Sequence, residues 1–88
     1  MPRYLIERNP GVMTPEQLNA VGQKVNQVLE GMPGLAWVRS YVSEAEGKVY
    51  CEFDAPNAAA VREHSSRAGL PITRIMEVAL EINPTMFR

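Results

Sequence analysis

Thr14-Pro15-Glu16-Gln17 constrains the fold more tightly than any other stretch of the chain. Threonine at the N-cap, proline at the first helical position and glutamine at N3 form a capping box, which fixes where a helix begins. Met13 and Leu18 flank the cap as a hydrophobic staple. Leu18, Val21, Val25, Val28, Leu29 and Met32 then recur at helical spacing, while Gln17, Asn19, Gln23, Lys24 and Gln27 face elsewhere. Gly31, Pro33 and Gly34 end the run, giving a helix of about four to five turns with one buried stripe.

Strand signals surround this helix. Arg3 to Arg8 is short, apolar in the middle and closed by Asn9, Pro10 and Gly11. Leu35 to Ser43 and Lys48 to Asp54 face each other across Glu44-Ala45-Glu46-Gly47, a hairpin signal. Pro56 is expected to open a second helix capped by Ala55 or Asp54, with a thin stripe of Ala58, Val61, Ser65 and Ala68 and a Schellman-type stop at Gly69. Thr73 to Asn83 alternates at period two, which predicts a final strand. The order βαββαβ gives an α+β, ferredoxin-like sandwich, a four-stranded antiparallel sheet with both helices on one face.

Eighty-eight residues make one domain, expected to span 1–88. A net charge of −1 supplies no basic field for nucleic acid or an anionic membrane. No apolar run approaches the roughly 20 residues that cross a bilayer, and the N-terminus lacks a signal peptide's apolar core. One cysteine makes no internal disulfide, so a cytoplasmic protein is expected. The absence of GxGxxG, P-loop and GxSxG patterns leaves an enzyme without a supporting motif.

Alternation assigns the two faces of the sheet. Met76, Val78, Leu80 and Ile82 are expected under the helices, with Val49, Cys51 and Phe53 and with Ala36, Val38, Ser40 and Val42. The open face then receives Trp37, Arg39, Tyr41, Tyr50, Glu7, Glu52, Glu77 and Glu81, with Leu5 beside Glu7. Aromatic rings among carboxylates on an open face point either to a homodimer interface or to a cavity between paired sheets. In the first, Trp37, Tyr41 and Tyr50 pack while Arg39 pairs with a glutamate. In the second, a cation or small polar ligand lies among Trp37, Tyr41, Tyr50, Glu7, Glu52 and Arg39, since carboxylates on neighbouring strands, roughly 5 Å apart, repel without a proton, an arginine or a metal between them.

Cys51 alternates with Val49 and Phe53, which marks it as a packed core residue. His64 borders the stripe of the second helix. It is either a partly buried, hydrogen-bonded core histidine or the best single ligand for a metal such as zinc, copper or nickel. No HxxxH or CxxC accompanies it, so a metal site would need donors from a second chain.

Four segments, PRYLIER, WVRSYVS, KVYCEFDAP and REHSSRAGLP, together resemble a family of small bacterial ferredoxin-like proteins described as nickel-binding or nickel-responsive, of the streptomycete type. Trp37, Ser40, Tyr41, Tyr50, Cys51, Arg62, Glu63 and His64 match the recurring pattern. Ser65-Ser66 stands where that pattern has Ala-Arg, and Glu52 where a more apolar residue is usual. The resemblance implies a homodimer that binds nickel or another divalent transition metal.

Overall fold

A computed structural model describes residues 1–88. The elements are β1 (Arg3–Arg8), α1 (Pro15–Glu30), β2 (Ala36–Ser43), β3 (Lys48–Asp54), α2 (Ala58–Ala68) and β4 (Arg74–Val78), followed by a 3-10 turn over Pro84–Phe87. The four strands run β2-β3-β1-β4, every neighbouring pair antiparallel. This is the expected ferredoxin-like sheet, with two helices on one face.

The capping box that starts α1 is complete: Gln17 N–H donates to Thr14 Oγ1 at 3.1 Å, and Thr14 N–H donates to Gln17 Oε1 at 2.8 Å. α2 starts later than expected. Ala55 is fully buried and its N–H donates to the Pro2 carbonyl, so it finishes the sheet, and Asn57 supplies the cap by accepting from Ala60 N–H. Its far end is the anticipated Schellman stop, with Gly69 left-handed and Leu70 N–H donating to the Ser65 carbonyl at 2.9 Å. At the hairpin, Gly47 has φ +63°, and a Cβ there would lie 2.9 Å from Gly11 Cα. Glycine at Gly47 therefore lets the hairpin touch the turn after β1.

The core lies between sheet and helices. Tyr4 and Ile6 of β1 and Val49, Cys51 and Phe53 of β3 meet Val25 of α1 and Val61 of α2. Two strands depart from simple alternation. In β2 the register slips between Trp37 and Arg39, which pair with the consecutive residues Phe53 and Glu52. This bulge reverses the phase, because two residues on one strand oppose one on the other. Trp37 therefore lies on the helix side with Phe53, not on the open face with Arg39 and Tyr41, whereas Ala36, paired with Asp54, lies on the open face.

β4 has the opposite phase to that expected. Ile75 pairs with Ile6 and Glu77 with Tyr4 on the helix side, while Met76 and Val78 pair with Leu5 and Arg3 on the open face. Glu77 is tolerated there because this edge strand leaves it exposed, and the Tyr4 hydroxyl donates to its carboxylate at 3.2 Å. The strand also stops early. Its last pair is Val78 with Arg3, so the next partner would be Pro2, which has no N–H to offer. Leu80 and Ile82, expected under the helices, are exposed instead.

Candidate functional site

The open face contains a closed set of charges. Arg3 Nε pairs with Asp54 Oδ1 at 3.0 Å, and Arg3 Nη1 reaches Glu52 at 3.6 Å and Glu81 at 3.8 Å. Lys48 Nζ lies 3.5 Å from Glu7, and the Tyr41 hydroxyl donates to Glu52 at 3.0 Å. The Asp54 hydrogen bond, followed by neighbouring carboxylates, raises the pKa of Arg3; Glu7 raises that of Lys48. The carboxylates expected here are thus matched by Arg3 and Lys48. Arg39 stands opposite Glu52 in register, yet it is exposed and joins no ion pair. Around this network Tyr41 and Met76 are about half exposed, and Leu5, Tyr50 and Met76 line a shallow open pit.

The helix side holds a different kind of site. A cavity of about 260 Å³ lies between the first half of α1 and the sheet, walled chiefly by apolar atoms. Met13, Val21, Trp37, Cys51 and Leu70 contribute to the wall, and so does Arg8. The Trp37 indole N–H donates to Ser40 Oγ at 2.9 Å, and Ser40 in turn donates to Cys51 Sγ at 3.0 Å. This polar relay crosses from the bulged strand to the core.

Arg8 is the residue sequence reasoning missed. It is only 3% exposed. Its Nη1 donates to Ser65 Oγ at 2.9 Å and to the Pro71 carbonyl at 3.0 Å, but Nε and Nη2 have no partner and no carboxylate pairs with it. The alternation of Tyr4, Ile6 and Arg8 on one strand was the available signal, since it places a cation on the buried face.

His64 is fully buried in the α2 face of the core, its ring 5.1 Å from that of Phe53. Nε2 lies 3.1 Å from the Val25 carbonyl, which can only accept, so Nε2 carries the proton. Burial lowers the imidazole pKa; the Val25 hydrogen bond opposes this and nearby Arg8 adds to it, and the net lowering favours the neutral ring with a bare lone pair on Nδ1. Such an arrangement is how ligand histidines are commonly oriented. No second donor completes it: nowhere do three His, Cys, Asp or Glu side chains gather to hold one ion. The donors of a single chain therefore do not fit a metal centre.

The model of a family described as nickel responsive protein SCO4226-like matches residues 4–78. The crystal structure of SCO4226 from Streptomyces coelicolor A3(2) resembles this chain with a TM-score of 0.80 at 26% identity, covering 91% of this chain and 99% of that one. The NMR structure of the heavy metal binding protein TM0320 from Thermotoga maritima gives a TM-score of 0.50 at 20% identity, over 86% and 98% of the two chains, a likeness of fold. No curated protein matches the chain significantly. No helix is long and apolar enough to cross a membrane.

Proposed function

The chain belongs to the family of SCO4226-like nickel responsive proteins, and from that membership we propose that it is a nickel-responsive homodimer whose metal site needs donors from two copies. The family match over residues 4–78 carries this reading, and with no three-donor group within one chain, a second copy is what would complete the donor set. Pairing two copies through the open sheet face doubles every donor on that face, because a two-fold interface sets the same patch against itself. The partner's copies of Glu7 and Glu52 would then be brought over the same face, and Tyr41, Tyr50 and Met76 would be covered. The free thiol of Cys51 suits a reducing, cytoplasmic setting. His64 enters such a site only if the seam between α1 and α2 opens, since its ring is sealed from solvent.

Nickel titration calorimetry and light scattering on the same samples test the proposal. The expected particle has twice the 9.8 kDa chain mass, and Met76→Arg, which puts a charge where an apolar side chain would be covered, lowers both mass and nickel heat. A monomer that binds nickel at full affinity would overturn the shared site. Loss of nickel heat on His64→Gln, with mass unchanged, would move the metal from the open face to the core.

A further inference from the structure

We propose that the cavity under α1 is a binding site for a small organic monocarboxylate with an apolar body, its carboxylate held by Arg8. The site is distinct from the open sheet face, since its lining residues come from the helix side of the sheet, α1 and the segment after α2.

A buried guanidinium ordinarily has a counter-ion, since removing its charge from water is costly and only a nearby anion offsets the cost. Arg8 has none, and no aspartate or glutamate lines the cavity. The identity of its unpaired atoms matters as much as their number. Nε and Nη2 form one edge of the planar guanidinium, the edge that grips a carboxylate with two parallel hydrogen bonds. The same strand displays that grip. On the open face, Arg3 Nε and Nη2 donate to the two oxygens of Asp54 at 3.0 and 3.4 Å. Arg8 holds the corresponding pair without an acceptor and sealed from solvent beside the cavity that the residue lines, so a carboxylate reaches that edge as the wall yields to it, while Nη1 is anchored to Ser65 and Pro71.

The rest of the wall defines the body of the ligand. Met13, Val21, Leu70 and the indole of Trp37 offer apolar surface, and about 260 Å³ admits a single ring or a branched alkyl chain rather than a nucleotide. With one cation and few other free donors, the site suits one negative charge better than a phosphate's two. A compact aryl or branched alkyl carboxylate satisfies both the charge and the wall.

The test titrates the full chain with phenylacetate, with phenylacetamide as its neutral counterpart and inorganic phosphate as an anion lacking the apolar body. Trp37, the only tryptophan, reports through its emission, and the Arg8 Nε–H through its NMR signal. Saturable binding of phenylacetate is expected, at least about tenfold tighter than either counterpart. Arg8→Gln is expected to lose a similar factor, and Val21→Phe, which fills the void from α1, to abolish binding. A counterpart that matches the acid, undiminished binding in folded Arg8→Gln, or no saturation by phenylacetate below its solubility limit would overturn the proposal. Should Arg8→Gln fail to fold, the comparison of acid with amide on the unaltered chain decides.

Discussion

Arg3 and Arg8 leave the same strand on opposite faces, and their surroundings summarise the difference between those faces. Arg3 meets Asp54, Glu52 and Glu81 where water still reaches it, so its charge is locally matched. Arg8 is nearly sealed from water, held by two neutral oxygens and matched by no anion. The carboxylates of the open face thus have cations within the chain, whereas the helix side encloses a cation that lacks a counter-ion. Within a single chain, only the second arrangement leaves a buried charge unmatched.

The contrast can be probed by removing an aromatic side chain from each face of β3. Phe53→Ala should cost about 3–5 kcal/mol in urea unfolding, because Phe53 is 1% exposed at the centre of the core. Tyr50→Ala, facing the other way, should cost far less when unfolding is followed at dilutions that keep single chains. A loss equal to that of Phe53 would mean that the open face is packed as tightly as the core.

Acid should act on the helix side next. The His64 pKa is lowered from its usual 6.5, so the folded chain binds fewer protons than the unfolded chain once pH falls below that value. Its contribution to stability is complete above pH 6.5 and is lost as pH drops toward the folded-state pKa. Urea midpoints measured from pH 7.5 downward should decline over that window, and His64→Gln should flatten the decline.

Arg8→Met is expected to be smaller and of opposite sign. It removes a buried unmatched charge at the cost of two hydrogen bonds, and should raise stability by about 1 kcal/mol in the ligand-free chain. A large loss would show that Arg8 already has all the partners it needs. Least of all, Lys48→Gln should leave the thermal midpoint within experimental scatter, since its partner Glu7 can be served by water and salt.

Much of the architecture could be read from local chemistry. The cap at Thr14, the hairpin ending at Gly47 and the stop at Gly69 each depend on residues adjacent in sequence, and each lies where it was expected. Face assignments depend instead on register, which is set between strands far apart in the chain. A single extra residue at Val38 carried Trp37 to the other side of the sheet, and β4 proved readable in either phase because Ile75 is as apolar as Met76. For the candidate site, the open-face positions of Tyr41, Tyr50, Glu7 and Glu52 followed from alternation, but Arg3 and Lys48, which neutralise the carboxylates, did not stand out. Arg8 escaped notice because a cation at a strand end normally reaches water; the covering segment around Leu70 and Pro71 that denies it this is a tertiary feature.

The strand order also bears on how the chain comes together. β1 precedes the other three strands in sequence, yet it lies inside the sheet between β3 and β4. Its contacts reach 51 positions along to Asp54 and 73 to Glu77, so most of the chain must emerge before its first strand has neighbours. The β2–β3 hairpin needs no such wait and is the natural place for assembly to begin. The two chain ends are unequal as a result. Trimming past Pro2 removes a central strand, whereas the turn after Asn83 lies outside the sheet and can carry a tag or be shortened at little cost.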